Sequence, residues 1–99
     1  MVDLKVTEIG GTVFLSGEVD VGNCGIFREE LSRITEGDEK NLVLDFGSLN
    51  YIDSAGLGIL VGVYKRLTER GGSMTVVNAN DYIKKLFRIT KLETLFIVA

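Results

Sequence analysis

Residues 42–72 read LVLDFGSLNYIDSAGLGILVGVYKRLTERGG, and a change of period inside that stretch decides the fold. Leu42-Val43-Leu44 is a short continuous apolar run ending at Asp45, the pattern of a central strand covered on both faces. From about Ser54 to Arg70 the spacing becomes helical. Leu57, Leu60, Val61, Tyr64 and Leu67 stand at i, i+3, i+4, i+7 and i+10, one core-facing stripe. Gly71-Gly72 stops the helix.

The flanking segments extend the same alternation of strand and helix. Upstream, Val2, Leu4 and Val6 alternate as in a half-buried strand, and Val13, Leu15 and Val19 do so again after Gly10-Gly11, which predicts a hairpin. Cys24, Phe27, Leu31 and Ile34 share one helix face, opposite Arg28, Glu29, Glu30 and Arg33, and Gly37-Asp38 marks the end. Downstream, Met74 to Val77 reads as a strand. Asn80 caps a third helix whose apolar face is Ile83, Leu86 and Phe87, and Leu95 to Val98 forms a last strand. A hairpin followed by alternating strands and helices is an α/β layer fold with a mixed sheet. With no linker, repeat or low-complexity tract, residues 1–99 are expected to form a single domain.

The back of the central helix is unusual. At about 100° per residue, the side away from the core stripe holds Ala55, Gly58, Ile59, Gly62 and Arg66. Each mid-helix glycine costs roughly 1 kcal/mol relative to alanine. Two readings account for them. Either this face packs closely against another element of the domain, or it is a smooth surface on which a partner approaches the backbone. Ser54 lies at the loop–helix junction and likewise has two readings. Asp53 or Ser54 can simply cap the helix. Alternatively, the Ser54 hydroxyl is a phosphoacceptor beside the docking face, where a helix N-terminus would tolerate the phosphate and the added charge would repel a fitted partner.

Other chemistries are bounded by what is missing. The chain has no histidine, so a Ser-His-Asp or Cys-His nucleophile arrangement cannot be built within it. Its single cysteine, Cys24, excludes an internal disulfide and reads as a small core residue. The net charge of −3 is unsuited to neutralising a phosphate backbone, so no direct nucleic-acid partner is expected. There is no apolar run of the roughly 18 residues that cross a bilayer, and no signal-peptide pattern at Met1 to Lys5, so no membrane association and a cytoplasmic location are expected. Gly56-x-Gly58-x-x-x-Gly62 departs from the dinucleotide spacing, and the acidic Asp53 precedes the loop where a pyrophosphate would need to sit; no cofactor is expected. Lys84, Lys85, Arg88 and Lys91 either complement a helix C-terminus or guide an acidic partner. Asp20 and Asp45 end strands on the expected Ser54 side, capping turns or forming an acidic rim with Asp53.

Taken together, these segments resemble the STAS-domain family and, within it, the bacterial anti-sigma factor antagonists. Gly17-Glu18-Val19-Asp20 is similar to the family's G-E-[LIV]-D segment. Leu42 to Asp45 followed by Tyr51-Ile52-Asp53-Ser54-Ala55-Gly56-Leu57-Gly58 is similar to its signature strand and D-S-[SA]-G-L-G loop. The resemblance spans nearly the whole chain. It implies a mixed sheet with helices mainly on one face, and a non-enzymatic protein that works by partner switching. An anti-sigma factor with serine kinase activity would phosphorylate Ser54, the unphosphorylated form would bind that anti-sigma factor and free the sigma factor, and a PP2C-type phosphatase would restore the hydroxyl. The implied partner-binding residues are Asp20, Asp53, Ala55, Gly56, Leu57, Gly58, Ile59 and Gly62, on a chain expected to be a monomer when free. Where many antagonists carry a second serine this chain has Ala55, leaving Ser54 as the acceptor in the motif; a further Ser or Thr site elsewhere stays open. The resemblance also leaves room for a STAS subunit of a transport or stress-sensing assembly.

Overall fold

The computed structural model describes residues 3–99. Strands β1 (Lys5–Ile9) and β2 (Thr12–Val19) form the hairpin, followed by α1 (Cys24–Thr35), β3 (Asn41–Ile52), α2 (Ser54–Glu69), β4 (Ser73–Val77), α3 (Asp81–Ile89), a 3-10 turn (Leu92–Thr94) and β5 (Ile97–Val98). Gly10 and Gly11 turn the hairpin with φ of 58° and 85°, values that L side chains adopt rarely. Val2, expected to open the first strand, lies outside the described residues.

The sheet order is β1-β2-β3-β4-β5, antiparallel only between β1 and β2. That order decides where the helices go. Each parallel connection advances one strand in the same direction, and right-handed crossovers then place α1 and α2 on one face. The core forms there, between the sheet and Phe27 and Leu31 of α1, Leu60 and Leu67 of α2, and Ile83 and Phe87 of α3. Phe87 meets Phe46 at 6.2 Å and Phe96 edge-on at 5.5 Å between ring centroids, tying α3 and the C-terminal segment to the sheet.

One-sided covering corrects the expectation for Leu42-Val43-Leu44. Leu42 and Leu44 are buried under the helices, whereas Val43 is half-buried on the open face beside Thr12 and Thr75. The strand also runs past Asp45 to Ile52. Register shifts opposite β2 bend this second half, so that Phe46, Leu49 and Ile52 still face the core.

The core stripe of α2 is broader than the periodicity predicts. Leu57, Leu60 and Leu67 are buried as expected, but Val61 and Tyr64 are half-buried and Ile59 and Val63 are buried. The cause is a neighbour on each side: α1 packs along one flank of α2, and Phe96 meets Tyr64, at 6.1 Å, on the other. Arg70, just past α2, donates to the backbone carbonyls of Thr35 and Gly37, closing the C-terminal end of α1 against α2.

Candidate functional site

The loop–helix junction that carries Ser54 is built by Asp53. This residue is extended, with φ −104° and ψ −174°, and caps α2: its Oδ1 accepts from the N–H groups of Ala55 at 3.0 Å and Gly56 at 3.2 Å. Its Oδ2 accepts from the N–H of Val21 at 3.0 Å, joining the start of α2 to the β2–α1 loop. Asp20 organises that loop, where its Oδ1 accepts from Gly22 N–H at 2.8 Å and Asn23 N–H at 3.2 Å. Asn23 answers by accepting from Asp20 N–H and donating to the Glu18 carbonyl.

The two readings of the junction are thereby separated. Asp53 is the cap, and Ser54 is the first helical residue, exposed, with a hydroxyl that makes no hydrogen bond among the described residues. The assumption that this helix start offers free N–H groups to a phosphate is corrected, since two of them are already held by the Asp53 carboxylate.

Ser54, Ala55, Gly58, Ile59 and Gly62 line one shallow groove of about 290 Å³ between α1 and α2, walled by Arg28 and Arg66. A Cβ added at Gly58 or Gly62 would meet nothing within 4 Å. Close packing inside the domain therefore does not account for these two glycines. Gly56 differs: its Cβ would come within 2.6 Å of Ile52 Cγ1 and 2.8 Å of Val19 Cγ1, so glycine is required for the helix to seat on the strand ends. Among the residues assigned to partner binding, Gly56 and Leu57 are thus turned inward, and Ile59 is only 7% exposed. They shape the surface from beneath. Asp20 and Asp53 are half-buried loop builders at its edge.

Asp45 does not join them. It lies on the open face of the sheet, accepting from Gly47 N–H at 2.8 Å and Asn78 Nδ2 at 3.1 Å, so the acidic rim reduces to Asp20 and Asp53. Cys24 is half-buried at the start of α1. Lys84 and Arg88 flank a separate depression beside Glu93 and the end of the chain.

Two features near the junction have little signal in sequence. Arg28 stood on the outer face of α1, with no pattern to aim it at Ser54. Tyr51 and Tyr82 stack at 5.9 Å with 11° between their rings, both exposed, although 31 residues separate them. Asn80 creates that pair by accepting from Ile83 N–H and donating to the carbonyls of Leu49 and Asn50, which pins α3 to the end of β3. Partial desolvation of the exposed phenol, with Tyr82 and the carboxylates of Asp53, Asp20 and Glu18 adding to it, pushes Tyr51 above its usual range.

Among the described residues, no three His, Cys, Asp or Glu side chains gather where a metal could be held, and no helix is long and apolar enough to cross a membrane. The arrangement as built is a free hydroxyl at one end of a smooth groove.

Residues 3–99 match the family model described as STAS domain. The chain is 35% identical over 92 residues to the anti-sigma-B factor antagonist of Bacillus subtilis (strain 168), covering 93% of this chain and 84% of that protein. Its fold is similar to that of an anti-sigma factor antagonist from Mycobacterium paratuberculosis, with a TM-score of 0.84, 23% identity and coverage of 99% and 85% of the two chains. It is also similar to the phosphorylated form of the Bacillus cell fate determinant SpoIIAA, with a TM-score of 0.73, 22% identity and coverage of 98% and 91%. At those identities the structural likeness is one of fold. The family match over residues 3–99 and the B. subtilis relative place the chain in the STAS domain family, among its anti-sigma factor antagonists.

Proposed function

We propose that this protein is a cytoplasmic switch that binds an anti-sigma factor through the α1–α2 groove and is turned off by phosphorylation of Ser54. One observation carries the reading: the Ser54 hydroxyl is exposed, and without a hydrogen bond among the described residues, at the lip of a groove floored by two glycines that the fold itself does not need. Relatives named anti-sigma factor antagonists, and a protein of the same fold described in a phosphorylated form, support the assignment of partner and modification.

In this mechanism the anti-sigma factor is a serine kinase. The Ser54 oxygen attacks the γ-phosphorus of the kinase's ATP, the bond to the β-phosphate oxygen breaks, ADP leaves and the hydroxyl proton passes to the kinase. A phosphate with about −1.5 to −2 charges then stands where the partner was seated. A PP2C-type phosphatase reverses the step. Because Asp53 supplies the cap, the modification alters binding without removing a structural hydrogen bond. The free chain is read as a monomeric single domain, acting by binding and catalysing nothing.

Incubation with a cognate anti-sigma kinase and ATP should add one phosphate, and Ser54→Ala should abolish it while changing stability by less than about 0.5 kcal/mol. Undiminished phosphorylation of the Ser54→Ala protein would overturn the acceptor assignment. Recovery of a transport assembly in place of a kinase in a pull-down would overturn the partner.

A further inference from the structure

We propose that Arg28 is the residue that receives the phosphate once Ser54 is modified, and that the resulting pair closes the groove. The inference rests on Ser54 being a phosphoacceptor and concerns what reads the phosphate afterwards.

The start of α2 cannot do so alone. The N–H groups of Ala55 and Gly56 are occupied by the Asp53 carboxylate, which would instead repel a second anion beside it. A phosphate on Ser54 must therefore find a cation outside its own helix terminus. The charged side chains lining the groove are Arg28 and Arg66, with no acid among its lining residues.

Helix geometry chooses between them. Arg66 lies 12 residues beyond Ser54 on the same helix, roughly 18 Å away at 1.5 Å per residue, and its guanidinium donates to Ser32 Oγ at 3.4 Å. Arg28 approaches from α1. Both helices connect successive parallel strands, so they run in the same direction and begin at the same end of the sheet. The contacts Val21–Asp53, Ser32–Arg66 and Thr35–Arg70 rise in step along the pair. Helical side chains lean toward the helix N-terminus, which here means down the groove toward Ser54. Arg28 is exposed and makes no side-chain hydrogen bond or ion pair among the described residues, so recruiting it breaks nothing.

A guanidinium offers paired donors that match phosphate oxygens. Joined to phosphorylated Ser54 from the opposite wall, Arg28 spans the groove above Gly58. Phosphorylation then blocks the partner in two ways, by charge and by a bridge across the floor.

The test uses the full chain with phosphoserine inserted at position 54 during translation, so no kinase is needed. The readout is the second ionisation of the phosphate, ordinarily near pH 6, followed by phosphorus NMR. Pairing should lower it by about 1 unit relative to the Arg28→Gln chain, with Arg28→Lys intermediate and Arg66→Gln unchanged from wild type. Equal values in wild type and Arg28→Gln, or loss of the shift in Arg66→Gln instead, would overturn the proposal. If no anti-sigma kinase modifies Ser54, the functional reading fails, yet this titration still reports on Arg28.

Discussion

Replacing Gly58 and Gly62 with alanine should make the protein more stable and a poorer binder at once. Both residues lie within α2, and an added Cβ at either meets nothing within 4 Å. Alanine at such a position reduces the freedom of the unfolded chain and favours the helix, by about 0.4 to 1 kcal/mol per site. The double variant should therefore gain about 1 to 2 kcal/mol. In a domain of this size each kcal/mol corresponds to a rise of about 4–8 °C in Tm. A partner that approaches the backbone of α2 would meet two methyl groups, an overpacking cost of about 1 to 3 kcal/mol. That is a loss of roughly 5- to 150-fold in affinity. Circular dichroism melts give the first quantity, and calorimetric titration with the anti-sigma partner gives the second. Gly25→Ala is the control: its Cβ also meets open space, but Gly25 does not line the groove, so it should raise Tm without touching affinity. A double variant that melts below wild type would refute the claim that the fold leaves these positions free. One that binds as tightly as wild type would refute the groove as the docking surface.

Three further outcomes are expected. Gly56→Ala drives a Cβ to 2.6 Å from Ile52, and should cost about 1 to 3 kcal/mol in urea unfolding, opposite in sign to Gly58→Ala; a neutral result would mean that α2 can lift off the strand ends freely. Asp53→Ala removes the acceptor of three backbone N–H groups and should cost about 1 to 2 kcal/mol, with Asp53→Asn retaining part of it; equal losses in both would point away from capping. The raised pKa of Tyr51 means that the folded chain keeps a proton the unfolded chain releases. Its contribution is full below the ordinary tyrosine value of about 10 and is lost as pH climbs through the folded value. Stability should accordingly fall less steeply above about pH 10 in Tyr51→Phe, and identical slopes would show that Tyr51 is not the group responsible.

Much of this arrangement is legible in the sequence, because the signals are local. Two-residue alternation on either side of Gly10-Gly11 specifies the hairpin, and the structure turns there with both glycines at positive φ. Asn80 before Ile83, Leu86 and Phe87 specifies a capped amphipathic helix, and Asn80 Oδ1 accepts from Ile83 N–H at 2.8 Å. The D-S-A-G-L-G stretch marked Ser54 as a residue to watch. The failures are equally instructive. Val43 was read as covered on both faces because an apolar run carries no information about how many layers surround it. Ile59, expected on the outer face of α2, lines the groove yet is buried, because helical periodicity counts one buried face while α2 has α1 along one flank and Phe96 against the other. Asp45 was placed near Ser54 on the assumption that its strand ended there, and the bulged continuation to Ile52 carried the junction past it.

By itself, then, the sequence determined the elements, their order and the serine at the start of the central helix, since capping, turn chemistry and hydrophobic period act over a few residues. Tertiary structure alone decided the surroundings of that serine. Asp53 takes the cap through its own neighbours Ala55 and Gly56, but only the packing of the β2–α1 loop against α2 adds the Val21 N–H to the same carboxylate, beside a Ser54 hydroxyl that makes no hydrogen bond among the described residues. Only the parallel course of α1 and α2 brings Arg28 to the wall of the same groove and leaves the space above Gly58 and Gly62 unfilled by the described residues. These are relations between residues about 30 apart in the chain, governed by the direction of crossover and the seating of helices on a sheet, and no local pattern of residues encodes them.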